Sequence, residues 1–146
     1  MAIFKIMLVC YTIFEKKEDT TMQQLQFETS WDKALSGKDR LLIENIFNKT
    51  KQAQDSGILC SPIREAINHR QELLVTVIVH NFTQNPLTFD NTRIVYSNEQ
   101  DILAEMIFTL PSFTIPPQVS MPWTFIFTQN SYTSNTSLWN GRLKIQ

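Results

Sequence analysis

The segment from Phe108 to Phe127, FTLPSFTIPPQVSMPWTFIF, constrains the fold more than any other part of this chain. The two-residue period of a β-strand places Trp123, Phe125 and Phe127 of its last five residues, WTFIF, on one face. A folded protein buries such a face, because each large side chain gains roughly 2–3 kcal/mol on full burial. We therefore predict a hairpin-like core piece, in which two strands flank a turn marked by Pro116-Pro117.

The rest of the chain predicts one helix and several short strands. Ser36, with Asp39 three residues later, is typical of a helix N-cap, and an apolar stripe carries the helix from about residue 38 to residue 52. We expect strands over residues 22–29, 58–67, 72–81, 87–96, 102–110 and 119–128, and a further edge strand over 138–145. This regular spacing predicts a mainly β protein, an immunoglobulin-like antiparallel β-sandwich with one N-terminal α-helix.

Composition bounds the number of domains and the classes of partner. A chain of 146 residues that is 42% hydrophobic and 18% charged fits one packed domain. We expect that domain to span residues 22–128, followed by a polar loop and the edge strand over 129–146. The formal net charge is -1 and the basic residues are scattered, which argues against a nucleic-acid partner.

The N-terminal apolar run, from Met1 to Phe14, is interrupted by Lys5 and is too short to span a membrane. No small-residue cleavage site of the A-x-A type follows it. Codons for residues 17–19, Lys-Glu-Asp, can read AAG-GAG-GAT, a bacterial ribosome-binding sequence just upstream of Met22. Our hypothesis is that translation begins at Met22, that residues 1–21 are a leader outside the fold, and that the protein is cytoplasmic. The alternative is export or lipid attachment near Cys10, with the protein in the cell envelope.

Motif searches give no catalytic, cofactor-binding or metal-binding residues. Three glycines are too few and too scattered for a phosphate-binding loop, and neither H-E-x-x-H nor G-x-S-x-G occurs. Cys10 and Cys60 are far apart and have no zinc-ligand spacing. Cys60 begins an apolar strand, so we interpret it as a small buried hydrophobic residue. We therefore predict no enzymatic activity and no cofactor.

One cluster supports an enzymatic alternative. A tight turn would bring His69 near Glu72, and His80 ends the same predicted strand, so the enzymatic alternative is a small hydrolase with a histidine general base. We favour the structural interpretation, because His69 belongs to a surface turn and a polar residue is common at a strand end. Glu99 and Asp101 lie in a polar loop whose ligand density is too low for calcium.

A family resemblance connects the patterns along the chain. It is carried, in this order, by WDKALS over residues 31–36, the helix opening at Asp39-Arg40, ELLVTVIVHN over 72–81, the alternating segment 102–108, Ile115-Pro116-Pro117 and PWTF over 122–125. This arrangement resembles the SLAP domain of Firmicutes, named for S-layer-like proteins and accessory Sec-system S-layer assembly proteins. The similarity covers roughly residues 31 to 127.

The resemblance implies a non-enzymatic protein-interaction or scaffolding module linked to the secretion or cell-surface machinery. It implies no catalytic residues, and it leaves the protein partner unidentified. We expect neither a nucleic-acid nor a membrane partner. Exposed sheet edges are docking sites for extended peptides, and self-association through an edge is a further alternative. An exported or lipid-anchored envelope component associated with the S-layer is the leading alternative function.

Overall fold

The computed structural model describes residues 23–51, 57–133 and 141–146. The expectations for the leader, for Met22 as a start site and for Cys10 lie outside these residues. The described elements, in chain order, are β1 (Gln24–Leu25), α1 (Thr29–Ala34), α2 (Gly37–Thr50), β2 (Ile58–Ile67), β3 (Leu73–Asn81), β4 (Leu87–Ser97), β5 (Ile102–Ile115), β6 (Val119–Phe127), a 3-10 turn (Gln129–Ser131) and β7 (Arg142–Ile145).

The strands form two sheets with the main core between them. Sheet A has the order β1-β6-β3-β2, and sheet B has the order β5-β4-β7. Alternate apolar residues of both sheets point into the core, as the two-residue strand period requires. The prediction of a mainly β sandwich is confirmed.

The prediction of a hairpin around the proline pair is wrong in its pairing. β6 pairs with β3 and β1 in sheet A, whereas β5 pairs with β4 in sheet B, so the chain crosses between sheets after Ile115. Phe108 therefore faces β6 across the core, with its ring 5.4 Å from that of Phe125 and 5.3 Å from that of Phe127, both edge to face. Because β5 and β6 lie in opposite sheets, the aromatic side chains of one strand are buried against those of the other.

The aromatic face of β6 is buried unevenly. Phe125 and Phe127 are fully buried, as predicted. Trp123 remains partly exposed at the border of the core, where its ring stacks on Phe113 at 4.1 Å and on Trp31 at 6.4 Å. Trp123 therefore belongs to the rim of the sandwich rather than to its centre.

Within the described ranges, two α-helices lie beside sheet A, one more than predicted. In α2, Ser36 caps the N-terminus by accepting a hydrogen bond from the backbone N–H of Asp39 at 3.1 Å, and its apolar stripe packs on the outer face of the sheet through Ile43 and Phe47. The additional helix, α1, has only six residues, which is too short to show a helical period in the sequence. Its N-cap is Glu28.

The remaining differences concern strand ends. The first strand is limited to Gln24–Leu25 and pairs parallel to β6, since the chain turns into α1 soon afterwards. Ile102, at the start of β5, is 54% exposed because a register irregularity follows it. β7 lies at the edge of sheet B, next to β4.

Candidate functional site

The structure does not bring the three residues of the hydrolase alternative together. His69 and Glu72 lie in the turn between β2 and β3, where the Glu72 carboxylate accepts a hydrogen bond from the Asn68 side chain at 2.9 Å. His80 lies near the far end of β3, eight strand residues or about 26 Å from Glu72. A catalytic arrangement of His69, Glu72 and His80 is therefore absent from this sheet.

His80 instead belongs to a buried network of hydroxyl groups under α2. Its side chain is fully buried. Its Nε2 lies 2.8 Å from Ser61 Oγ and 3.2 Å from Thr50 Oγ1, and its Nδ1 lies 2.6 Å from Ser120 Oγ. These partners come from β2, α2 and β6, so one imidazole connects three elements.

Burial lowers the pKa of His80 to about 4, which keeps the ring neutral at pH 7. One ring nitrogen of a neutral imidazole donates and the other accepts, and hydroxyl groups satisfy both roles. A serine beside a histidine also characterises nucleophilic catalysis, but there the hydroxyl must meet a substrate. Ser61 is 5% exposed and Ser120 is fully buried, so this network stabilises the helix–sheet interface.

A second polar centre lies at the adjacent residue. The Asn81 side chain is fully buried, and its amide donates to the backbone carbonyls of Asn85, Ile115 and Pro116 at 2.8, 3.1 and 3.2 Å. Its carbonyl oxygen accepts from the backbone N–H of Thr83 at 3.0 Å. Asn81 therefore holds the β3–β4 turn against the crossing between sheets. The Asn-x-Thr pattern that also matches a glycosylation sequon is the sequence signal for this turn.

The side chain of Glu65, on the edge strand β2, points into the gap between the two sheets. The Tyr96 hydroxyl donates a short hydrogen bond to the Glu65 carboxylate, and desolvation raises the pKa of both groups. Gly141 packs directly against the Tyr96 ring, where an added Cβ would lie 2.4 Å from a ring carbon. A cavity of about 210 Å³ borders this group. An inward-pointing charge of this kind protects an edge strand from pairing with other chains.

Three cavities bounded by described residues have volumes of about 150, 210 and 230 Å³, whereas small-molecule sites usually occupy about 300–1,000 Å³. In the described ranges, no group of three or more His, Cys, Asp or Glu side chains is arranged to hold a metal ion. The helices that the structure describes are too short or too polar to cross a membrane.

The largest of these cavities lies on the side of the sandwich where β5 and β6 present their outer edges, which we call the open side. It has a volume of about 230 Å³ and is lined by Glu28, Ser30, Leu110, Pro111, Ser112, Phe113 and Trp123. On the same strand β5, three residues before Leu110, Ile107 is 61% exposed. Exposed apolar surface of this kind is typical of an interaction surface.

The β6 edge on this side is covered at its start. The N–H groups of Gln24 and Gln26 donate to the carbonyls of Gln118 and Ser120 at 3.0 and 2.9 Å. Strand alternation then directs the backbone nitrogen of Pro122 toward the same edge, where its missing hydrogen leaves the ladder to β3 intact. This explains how a proline is accommodated within the predicted aromatic strand.

Comparison with known proteins decides the family. A family model described as the SLAP domain matches residues 25–144. The chain belongs to the SLAP domain family. Searches of curated proteins and of solved structures gave no match. The family is named for S-layer-like and accessory Sec-related proteins rather than for a catalytic activity. The match covers the segments that carry the resemblance and extends into β7.

Proposed function

We propose that this SLAP domain is a non-enzymatic protein-interaction or scaffolding module that serves the secretion or cell-surface machinery. The family assignment supports the link to that machinery. The observation that carries the interaction role is the apolar surface of the open side: Leu110, Phe113 and the partly exposed Trp123 line its cavity, and Ile107 on the same strand β5 is 61% exposed. The side chains with catalytic potential have structural partners instead, since His80 and Ser61 lie in the buried network.

Chemical cross-linking in the source bacterium, followed by affinity purification of the tagged full-length chain, tests this function. We expect a defined secretion or cell-surface protein to be enriched over a tagged control protein. Enrichment of no protein would contradict the proposal. A screen of hydrolase substrates with the wild type and Ser61→Ala tests the enzymatic alternative, and activity that the substitution abolishes would also contradict the proposal.

We place the protein in the cytoplasm, where it would meet secretion components at the inner face of the membrane. The apolar run from Met1 to Phe14 supports the alternative, an exported or lipid-anchored envelope component. Cell fractionation with mass spectrometry of the N-terminus separates the two locations. A cytosolic chain that begins at Met22 is expected, and an envelope chain that begins at Cys10 would establish the alternative.

A further inference from the structure

We propose that the short helix α1 is a strap that opens and closes over the cavity of the open side while the sandwich stays folded, and so controls the exposure of Trp123. The opening goes beyond the proposed function, because it is a property of the isolated chain. Its effect on partner binding rests on the proposed interaction function. Three features of α1 support the inference: its length, the packing beneath it and the fixed chain at its two ends.

α1 is too short to be stable on its own. It has six residues, and isolated helices of fewer than about 12 residues are marginal in water. None of its residues is buried, and Trp31 is the one that is partly buried. Helices in proteins are stabilised mainly by packing of an apolar face, so α1 depends on the contacts of a single large side chain.

The main contact of Trp31 with the sandwich is a loose one. The Trp31 ring stacks on that of Trp123 with 6.4 Å between the ring centroids. On the sandwich itself, Trp123 stacks on Phe113 of β5 at 4.1 Å. Because the second stack is closer, Trp123 is held by β5 and would keep its place when Trp31 moves away.

Cavities lie on both sides of the Trp31 contact. The cavity of the open side, of about 230 Å³, has Glu28 and Ser30 in one wall and Trp123 in another. A second cavity, of about 150 Å³, is lined by Trp31 and Leu35 together with residues of α2 and sheet A. Side chains beside a void lack the dispersion contacts that a packed neighbour would provide, so α1 is underpacked against the sandwich.

A polar contact closes α1 against α2. Arg40 donates hydrogen bonds to the Asp32 carboxylate at 2.7 Å and to the Asp32 carbonyl at 3.1 Å. The two side chains of this ion pair are 32% and 59% exposed. Ion pairs that keep contact with solvent contribute little to stability and are weakened by salt, so this contact favours the closed strap without locking it.

The chain on either side of α1 is fixed, which limits the opening to α1 and its caps. Before it, the Gln26 N–H donates to the Ser120 carbonyl at 2.9 Å. After it, Ser36 caps α2, which packs on sheet A. The backbone of the two cap residues of α1 is extended, with ψ angles of 148° at Glu28 and 128° at Leu35. A change of conformation at these two positions would move α1 as a unit.

Opening would uncover apolar surface on the open side. Moving α1 takes the Glu28 and Ser30 wall away from the cavity and the Trp31 ring away from Trp123. Phe113 stays in place, because its strand belongs to sheet B. Segments of low local stability are the ones that proteins use to cover and uncover binding surfaces. The closed strap thus acts as an autoinhibitory contact.

Hydrogen exchange of the full-length chain, followed by nuclear magnetic resonance at low urea concentrations, tests the opening. The amides of Asp32 and Leu35 report on α1, since they donate to the carbonyls of Glu28 and Trp31 at 2.9 Å. We expect them to exchange through an opening that depends only weakly on urea, whereas a core amide such as that of Phe125 exchanges by global unfolding. Exchange of both groups with the same opening constant and urea dependence would overturn the proposal.

Two substitutions in α1 should shift the opening in opposite directions. Ala34→Gly should raise the opening constant by up to about fivefold, because glycine disfavours a helix. Thr29→Pro should lower it by about two- to fivefold, because proline fits the first helical position and restricts the open chain. Ala66→Gly, the same change at an exposed position of β2, is the control and should leave exchange in α1 unchanged. Equal opening constants in the wild type and both α1 variants would overturn the proposal.

Trp31→Ala tests whether the sandwich is independent of the strap. We expect its spectrum to keep the dispersed amide resonances of both sheets, and the ring resonances of Trp123 to broaden more with a soluble paramagnetic probe than in the wild type. Loss of the dispersed resonances would overturn the proposal, because α1 would then belong to the cooperative core. Unchanged broadening of Trp123 would overturn it as well, since α1 would not cover that ring.

Capture of the cellular partner separates this inference from the proposed function. If the strap controls the open side, Ala34→Gly should capture more partner than the wild type and Thr29→Pro less. Equal capture by both variants would show that α1 does not control binding. If α1 opens as expected but the wild type captures no protein, the proposed function fails and the strap still stands.

Discussion

At the residue scale, His80 shows how a residue with catalytic potential serves structure. Its ring lies between those of Phe47 and Phe82, with centroids 6.4 and 5.4 Å away. Hydroxyl groups satisfy both of its nitrogens, so the neutral ring is stable inside the helix–sheet interface. Protonation would place a charge in this buried position.

We predict that the free energy of unfolding falls as the pH is lowered from about 6.5 toward 4. The folded pKa of His80 is lowered from 6.5 to about 4, so the unfolded state binds more protons across this window. The stabilisation that depends on neutral His80 is fully present above the pKa of the unfolded state. It is lost as the pH falls through the pKa of the folded state, and its magnitude is about 3 kcal/mol. Urea unfolding at a series of pH values measures it.

His80→Gln should flatten this pH dependence, because glutamine does not titrate. His69→Gln is the control, since that residue lies exposed in the β2–β3 turn. The carboxylates titrate in both variants, so a difference in pH dependence between the two variants reports on His80 rather than on the carboxylates. An unchanged pH dependence in His80→Gln would contradict the assignment.

Gly141 is the second residue whose role can be measured. Gly141→Ala should lower the free energy of unfolding by about 1–3 kcal/mol, because the added Cβ would meet the Tyr96 ring at 2.4 Å. Gly37→Ala is the matched control, since an added Cβ at Gly37 meets nothing within 4 Å. Thermal unfolding of the two variants tests this, and equal midpoints would show that the Tyr96 packing is not tight.

At the element scale, the aromatic strand β6 anchors the sandwich through its last residues. Phe125 is fully buried and contacts rings from β4 and β5 at 5.9 and 5.4 Å. Trp123 is partly exposed at the open side. Phe125→Ala should therefore cost about 3–5 kcal/mol and Trp123→Ala less, measured by urea unfolding. A larger loss of unfolding free energy for Trp123→Ala than for Phe125→Ala would contradict this, because Trp123 would then contribute more to the core than Phe125.

The sequence predicted these elements where a local signal exists. Ser36 and Asp39 located the start of α2, and strand β2 has the predicted bounds of Ile58 and Ile67. α1 was missed because six residues show no period. The end of β5 was missed because Pro111 is tolerated on an edge and the strand continues to Ile115.

The polar centres were harder to predict, because they depend on residues far apart in sequence. Ser61, His80 and Ser120 lie on three strands, and only the register of sheet A brings their side chains together. The site at the open side has the same origin, since Glu28 and Trp123 are almost a hundred residues apart along the chain. No local pattern marks such a pair.

At the scale of the whole molecule, the chain crosses between sheets after β5, and this crossing creates the open side. β5 and β6 lie in different sheets, so their outer edges flank one cavity instead of pairing with each other. The opposite side has Glu65 pointing inward from the edge strand β2, a device that discourages pairing. The fold therefore leaves the outer edges of β5 and β6 on one side and places the inward-pointing Glu65 on the other.

Site-specific photo-cross-linking in living cells tests the interaction role of the open side most directly. A photoreactive amino acid replaces Ile107 on the open side or Leu41 on α2, which are similarly exposed at 61% and 62%. We expect a discrete adduct with another protein from position 107 and none from position 41. An adduct from position 41 with none from position 107 would contradict it.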